Sequence, residues 1–185
     1  MPHDLSHYSV GNFERGRPAW MELLWRLVMG VVFQSPFVPS YAVKRWLLRR
    51  FGARVGVGVC VKPRVTITLP WKVELGDHAW VGEGAWLDSL APIRIGPHAV
   101  VSQGAYLCTG NHDFRSPAFD LRLGPITVGP EAWIAARAVL APGTQVGAAA
   151  VVALGAVVSG TVPTGAIVRG NPAAVVGHRC AVDGL

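Results

Sequence analysis

Aliphatic residues recur every six positions in the C-terminal half of this 185-residue chain. The run without a miss is Val128, Ile134, Leu140, Val146, Val152 and Val158. A period of six matches neither the turn of an α-helix nor the two-residue alternation of an exposed strand. It fits a short strand followed by a corner, so three such units close one triangular coil. Strands of successive coils then pair with one another, and the sequence predicts an all-β solenoid, a parallel β-helix.

The other positions of the repeat follow a rule as well. Earlier triplets with the same spacing are Leu75, Val81 and Leu87, then Ile95, Val101 and Leu107, and a poorer one at Val55, Val61 and Ile67. A small or slim residue comes four places after an aliphatic one at Ala79, Ala85, Ala91, Ala99, Ala105, Ala132, Ala138, Thr144, Ala150 and Ala156. Glycine follows directly at Gly76, Gly82, Gly96, Gly129 and Gly147. We expect glycine to relieve a tight corner and the small residue to let the wall turn.

Composition and length agree with one folded domain built on this repeat. Hydrophobic residues make up 51% of the chain and charged residues 15%, with 22 glycines, which is too apolar for disorder and too glycine-rich for a helical bundle. A β-sandwich of short strands is the alternative, but it would need alternating patterns and Asn-Gly hairpin turns that the sequence lacks. We predict an N-terminal helical segment at 1–52, the β-helix at 53–168 and a C-terminal tail at 169–185.

Irregular spacing marks where the chain leaves the coil. Leu87 and Ile95 are eight positions apart, which predicts a two-residue bulge at one corner. Leu107 and Val128 are 21 apart where the repeat requires six, so fifteen residues are extra. We predict an extruded loop at 112–126 with His112 at its base. Loops on a rigid scaffold are where chemistry is usually placed.

Much of the net charge of +6 lies in one stretch near the N-terminus. Its basic residues Lys44, Arg45, Arg49, Arg50 and Arg54 surround an apolar set of Val43, Trp46, Leu47 and Phe51. The spacing predicts an amphipathic helix, for which two interpretations remain open. The helix packs on the main body, or it meets an anionic surface such as membrane headgroups or a pyrophosphate-linked substrate. Nucleic acid is disfavoured, because no base-reading motif is present.

Cysteine usage and the N-terminal sequence favour a cytoplasmic protein. The three cysteines are widely separated and form no CxxC pair, which argues against a disulfide framework and against structural zinc. The first residues lack the order of a signal peptide. The most apolar stretch, Leu27 to Phe33, is far short of the roughly 20 residues that cross a bilayer.

Three stretches carry a resemblance to a known family: the repeat VGPEAWIAARAVLAPGTQVGAAAVVALGAVVSGTVP, the loop TGNHDF and the tail GNPA. With these, residues 18–178 resemble the hexapeptide-repeat acyltransferases, and more closely their colanic-acid-biosynthesis O-acetyltransferases. The resemblance implies a left-handed β-helix, whereas most parallel crossovers are right-handed. It also implies acetyl-CoA as cosubstrate without a metal, and a homotrimer with the active site between adjacent subunits.

His112 is the candidate general base. A hydroxyl is a weak nucleophile at neutral pH, and an imidazole with a pKa of about 6.5 is suited to taking its proton. A loop histidine that merely caps the turn is the alternative, and the resemblance favours the catalytic role. Asp113 or a backbone carbonyl could hold the tautomer. No Ser-His-Asp order or nucleophilic cysteine motif is evident, and Cys108 fits a small residue at the edge of the core, so we expect direct transfer in a ternary complex.

Candidate residues for the acceptor and the coenzyme come partly from the resemblance and partly from the chemistry of their side chains. For a sugar acceptor the candidates are Asp88, Trp71, Asn111 and Asp113. For coenzyme A they are Ala136, Leu154, Ser159, Arg169, Pro172 and Arg179. Asp88 and Trp71 could instead be ordinary corner residues. Arg169 and Arg179 are the candidates for the coenzyme phosphates. A basic residue common in the family soon after the tail proline is Ala174 here, so either phosphate binding has moved to Arg179 or the affinity for the coenzyme is lower.

The expected function is acetylation of a sugar hydroxyl during exopolysaccharide assembly, on a glycan or lipid-linked sugar presented at the cytoplasmic membrane face. An acceptor such as serine or an antibiotic is the alternative within the same chemistry. A zinc carbonic anhydrase would need three converging histidines, and position 117, where a partner for His112 would stand, is proline. A non-catalytic scaffold is disfavoured by the intact loop.

Overall fold

The computed structural model describes residues 5–8, 10–11, 13–38 and 40–179, and it is a parallel β-solenoid of about six coils. Of its strands, numbered β1 to β20 along the chain, seventeen form three parallel sheets that make the walls of a prism. Sheet A contains β1 Arg54–Val55, β4 Val73–Leu75, β7 Ile93–Ile95, β12 Ile126–Val128, β15 Gln145–Val146 and β18 Thr161–Val162. Sheet B contains β2 Cys60–Val61, β5 Trp80–Val81, β8 Val100–Val101, β13 Trp133–Ile134, β16 Val151–Val152 and β19 Ala166–Gly170. Sheet C contains β3 Thr66–Ile67, β6 Trp86–Asp88, β9 Tyr106–Cys108, β14 Val139–Leu140 and β17 Val157–Val158.

The repeat aliphatics stack in register inside the prism, as the six-residue period predicts. On sheet C, Leu87 pairs with Leu107 and Leu107 with Leu140. These three side chains are fully buried, and so are the alanines four places after the aliphatic residues, such as Ala105. Because each aliphatic residue packs against its equivalents above and below, one continuous apolar column forms the core.

The glycines after the aliphatic residues are required by space rather than by backbone conformation. A Cβ on Gly76 would lie 2.4 Å from the backbone nitrogen of Pro97 in the next coil. The left-handed conformation falls two residues later, where His78 and His98 adopt it at φ 57°. Glycine therefore lets one coil lie directly on the next, and the expectation that it merely relieves the corner was incomplete.

The regular winding is interrupted once between the third and fourth coils. After β9 the chain forms an antiparallel hairpin of β10 Gly110–His112 and β11 Leu121–Leu123, and it then re-enters sheet A at β12. Coil winding resumes in register, since β12 pairs with β7 across the interruption. The extruded segment thus starts two residues before the predicted position 112.

Two helices close the N-terminal end of the prism. Helix α1, Ala19–Val28, continues as a π-helical turn at Met29–Phe33, and helix α2 is Tyr41–Arg50. Trp25, Phe33 and Leu48 are fully buried and join the core beneath the first coil. The cap thereby covers apolar surface that an open solenoid end would expose.

The basic side chains of α2 dock this helix on the first coil. The Lys44 ammonium donates to the Val61 carbonyl at 3.3 Å, and burial lowers the pKa of this amine. Arg45 donates to the Val59 carbonyl at 2.9 Å, and Arg49 donates to the Val55 carbonyl at 2.9 Å. The buried face is Lys44, Leu48 and Phe51, whereas Val43 and Trp46 of the predicted apolar face are exposed. The structure supports packing on the main body as the role of these cations.

The far end is closed by a second hairpin, in which β20 Ala173–His178 runs antiparallel to β19. The predicted tail at 169–185 therefore begins inside β19, and residues 180–185 lie outside those described. Among residues 5–8, 10–11, 13–38 and 40–179, no helix has the length and apolar character needed to cross a membrane.

The close approach of coils is testable with Gly76→Ala. The added methyl meets the backbone of Gly96 and Pro97, which cannot move aside as a flexible side chain would. We expect the free energy of unfolding in urea to fall by about 1–3 kcal/mol. Gly30→Ala is the matched control, because no described atom lies within 4 Å of a Cβ at that helical position. Equal stability of the two variants would contradict the packing argument.

Candidate active site

The β10–β11 hairpin positions His112 just outside the corner between sheets C and A. The buried Thr109 hydroxyl starts this corner, donating to the Asp88 carbonyl at 2.6 Å and accepting from the Ala91 amide at 2.9 Å. On the other side, the Gly124 amide donates to the Thr109 carbonyl at 2.9 Å and closes the base of the hairpin. Both ends of the hairpin are therefore fixed to the coil, and His112 lies two residues beyond the point where it emerges.

One nitrogen of the His112 ring is held by the opposite side of the hairpin. Nδ1 lies 2.9 Å from the carbonyl oxygen of Phe119, and the two rings stack with centroids 4.5 Å apart. A carbonyl can only accept, so Nδ1 carries the proton and Nε2 is the unprotonated nitrogen of the neutral ring. The Tyr8 ring packs on the same imidazole with centroids 5.6 Å apart. This arrangement orients an imidazole whose Nε2 can take a proton.

A cleft of about 650 Å³ adjoins His112. Hairpin residues line one side, and the next corner of the solenoid, at Ala141 to Gly143, lines the other. Asn111 and Asp113 also line it, so the cleft unites three of the predicted residues. It has room for a small acceptor or a thioester beside the imidazole.

The polar neighbours of His112 hold the hairpin rather than the imidazole. The Asn111 side chain accepts from the His112 amide at 2.8 Å. The Asp113 carboxylate accepts from the Arg115 amide at 3.0 Å and forms an ion pair with Arg122. These donors lower the pKa of the Asp113 carboxyl, with the Arg115 amide the largest cause. Of the two candidates for fixing the tautomer, the structure thus selects a backbone carbonyl, that of Phe119.

Asp88 lies on the outer face of sheet C, one coil below the hairpin. It pairs in register with Cys108. Its carboxylate accepts from the Thr68 hydroxyl at 3.0 Å and from the Tyr106 hydroxyl at 3.5 Å. Burial raises the pKa of the Tyr106 hydroxyl, which therefore stays protonated as a donor. Asp88 is a half-buried, oriented acceptor of hydrogen bonds whose own carbonyl is bound by Thr109.

Trp71 occupies a different cavity from His112. It lines a space of about 280 Å³ together with Arg54, Lys72 and Arg94, two coils below the hairpin. Its indole N–H donates to the Arg15 carbonyl, so the N-terminal segment covers part of the ring. Within one chain, the structure does not bring Trp71 together with His112.

Comparison with known proteins identifies the family. No protein-family model matches the chain. The colanic acid biosynthesis acetyltransferase WcaF of Escherichia coli K12 is 43% identical over 177 residues, which cover 95% of this chain and 97% of that protein. The chain belongs to the WcaF family of hexapeptide-repeat acetyltransferases.

Solved structures agree with this assignment of the fold. The hexapeptide-repeat acetyltransferase VCA0836 of Vibrio cholerae is 26% identical, with a TM-score of 0.78 over 86% of this chain and 90% of that one. The same protein in complex with acetyl-CoA aligns with a TM-score of 0.81 at 24% identity, over 94% and 96% of the two chains. The winding is therefore the left-handed β-helix that the sequence resemblance implies.

The candidate coenzyme residues of this acetyltransferase lie at the two borders of sheet C. Ala136 and the exposed Leu154 lie at the corner between sheets B and C, in successive coils. The two coils are joined there by the Gly155 amide, which donates to the Ala136 carbonyl at 3.0 Å. Ser159 is at the opposite corner, above the His112 cleft. The length of one strand, about 10 Å for three residues, separates the two corners. The outer face of sheet C thus connects the candidate coenzyme residues with His112.

The three candidates nearer the C-terminus lie farther from this face. Arg169 is exposed on β19, and Pro172 is in the turn between β19 and β20. Arg179 lies at the third corner, where its guanidinium donates to the Glu131 carbonyl at 3.1 Å. The structure does not bring Arg179 together with Leu154 or His112 in one chain. Among the described residues, no group of three metal-ligating side chains is close enough to hold an ion.

Sequence reasoning missed several residues that build this site. The Phe119 carbonyl and ring fix His112, and Arg122 holds Asp113. Ser89 and Thr109 are fully buried hydroxyls that bond the backbone at the widened corner. Only the two hydroxyls had a usable signal, since Ser89 falls in the eight-residue offset between Leu87 and Ile95.

The orientation of His112 can be measured directly. We expect ¹⁵N–¹H correlation spectra of the neutral imidazole to show the proton on Nδ1, because the Phe119 carbonyl accepts from that nitrogen. His98 serves as an internal reference, because its ring is exposed and has no comparable carbonyl contact among the described residues. A His112 ring protonated at Nε2 would exclude the proposed orientation.

Proposed function

We propose that this enzyme transfers the acetyl group of acetyl-CoA to a hydroxyl of a sugar, with His112 as the general base. The observation that carries the proposal is the His112 ring itself, with Nδ1 engaged by Phe119 and Nε2 left as base beside a cleft. Acetyl-CoA as donor is supported by the family and by the acetyl-CoA complex of the VCA0836 protein.

The proposed reaction proceeds by direct attack in a ternary complex. Nε2 of His112 removes the proton of the acceptor hydroxyl as its oxygen attacks the thioester carbonyl, and a tetrahedral intermediate forms. When the intermediate collapses, the carbon–sulfur bond breaks and the imidazolium returns the proton to the departing thiolate. The Phe119 carbonyl stabilises the imidazolium between these two steps through its bond to Nδ1. Cys108 donates to the Gly110 carbonyl at 2.9 Å and takes no part as a nucleophile.

Asp88 on the outer face of sheet C leads us to propose a sugar as the acceptor. A half-buried carboxylate that already accepts from Thr68 and Tyr106 is suited to accepting further hydrogen bonds from sugar hydroxyls. Asn111 and Asp113, which line the His112 cleft, are the other proposed contacts. The name of the WcaF relative, colanic acid biosynthesis, supports an exopolysaccharide precursor as the acceptor class.

The proposed assembly is a homotrimer with the active site between adjacent subunits. Ala136 and Leu154 lie at the far border of sheet C from His112, and Arg179 lies at the third corner. A neighbouring chain could therefore complete the coenzyme groove, with Arg169 and Pro172 near the nucleotide end. The acceptor, as a lipid-linked sugar, would reach the enzyme at the cytoplasmic face of the membrane, with peripheral contact through the N-terminal helical segment.

The decisive variant is His112→Ala, assayed for acetyl-CoA turnover with free and lipid-linked oligosaccharides. We expect kcat to fall by about 10²–10⁴-fold, the usual contribution of an acid–base group, while the Kd for coenzyme A stays unchanged. His98→Ala is the matched control, because that exposed imidazole stacks on His78 at the corner between sheets A and B, away from the His112 cleft. Near-normal turnover of His112→Ala would remove the imidazole from the mechanism.

A further inference from the structure

Helix α1 has a second apolar face that the solenoid does not use. Its inner face, Trp25, Met29 and Phe33, is buried under the first coil. The opposite side carries Trp20, Leu23, Leu24, Leu27 and Val31, all exposed to 45–69%. These five residues, the outer strip, are spaced three or four apart and so form one continuous stripe along the helix. A helix that is apolar on both sides is normally covered on both sides.

The charge around the outer strip is almost entirely positive. Between residues 15 and 54 the sequence has eight Lys and Arg against a single acidic residue, Glu22, a net charge of +7 against +6 for the whole chain. Glu22 is buried and ion-paired with Arg15 and Arg26, and these partners lower the pKa of its carboxyl, with Arg15 the largest cause. The two helices and the segment between them, residues 19–50, contribute five of these cations and a net charge of +4, and their single acidic side chain, Glu22, is ion-paired.

Large aromatic residues accompany the charges. Trp20 in the outer strip and Trp46 on α2 are each 63% exposed, and Phe37 between the helices is 90% exposed. Tryptophan is the side chain that concentrates at the boundary between lipid headgroups and acyl chains. The outer strip, with Trp20 among its leucines and the exposed Arg26 on the same helix, has the composition of an interfacial membrane helix.

A cleft on the solenoid side of α1 reaches the proposed acceptor face. A space of about 370 Å³ opens between α1 and sheet C, lined by Arg26 and Gly30 on one side and by Thr68 and Trp86 on the other. The Thr68 hydroxyl in that lining donates to the Asp88 carboxylate at 3.0 Å. A sugar on a lipid carrier could thus pass from the helix to Asp88 along one surface.

We propose that the outer strip of α1 docks on the surface of an anionic lipid bilayer. Leu23, Leu24, Leu27 and Val31 enter the acyl boundary, and the surrounding arginines contact the headgroups. This placement differs from the anionic-surface interpretation left open for α2, whose Lys44, Arg45 and Arg49 bind backbone carbonyls of the first coil. The docking depends on the proposed function only for its purpose, which is access to a lipid-linked acceptor.

A second copy of this chain is the rival occupant of the outer strip. Excess positive charge on the cap opposes pairing of two caps, because the exposed arginines of each copy would repel one another. An anionic bilayer supplies the opposite charge instead. The observations therefore favour lipid.

The test is flotation of the full chain with vesicles of phosphatidylcholine alone and of phosphatidylcholine mixed with phosphatidylglycerol. We expect binding to the anionic vesicles that weakens as salt is raised. The double variant Leu23→Gln with Leu27→Gln should reduce partitioning by about tenfold or more, since burial of each leucine is lost. Both side chains are exposed, so the melting temperature should not change.

The matched control is Val175→Gln with Val176→Gln, which replaces two valines exposed to 52% and 54% at the other end of the solenoid. It should bind vesicles like the unaltered enzyme. Acetylation of a soluble oligosaccharide by the leucine variant should stay normal, which separates failure of docking from failure of the proposed chemistry. Absence of vesicle binding by the unaltered enzyme overturns the proposal, and so does a change of oligomeric state in the leucine variant.

Discussion

Backbone hydrogen bonds between successive coils set the geometry on which the rest of this molecule depends. Each short strand of the inner coils has equivalents directly above and below, so a strand of only two or three residues is held on both sides. Glycines such as Gly76 and Gly82 permit that spacing, because a side chain there would strike the next coil. Rigidity arises from stacking rather than from long elements, and an inserted segment can therefore leave the column without disturbing it.

The β10–β11 hairpin shows how this rigidity is converted into a site. Its two ends are bonded to each other through Gly124 and Thr109, and the coils on either side remain in register. Residues inside the hairpin can then hold an imidazole in one orientation, as the Phe119 carbonyl holds His112. A hydrogen bond to one ring nitrogen commonly sets the tautomer of a catalytic histidine.

More of the column than of the site could be predicted from the sequence. The period of six reports directly on which side chains point inward, so the buried aliphatics from Leu75 to Val158 were predicted correctly. The left-handed winding came from family resemblance, since spacing carries no information about the hand. Phe119 could not be found, because its contribution is a backbone carbonyl brought close by an irregular turn. The exposed stripe on α1 was hidden for another reason: its residues look like core residues until the packing shows which face is used.

The central claim is that the solenoid holds the Nε2 atom of His112 beside the bound thioester. A crystal structure of the assembled enzyme with coenzyme A and an oligosaccharide tests it most directly. The account predicts the coenzyme sulfur and an acceptor hydroxyl on the outer side of sheet C, with the hydroxyl oxygen about 3 Å from Nε2. A coenzyme sulfur bound at the corner of His78 and His98, or an Nε2 turned away from both ligands, would contradict it.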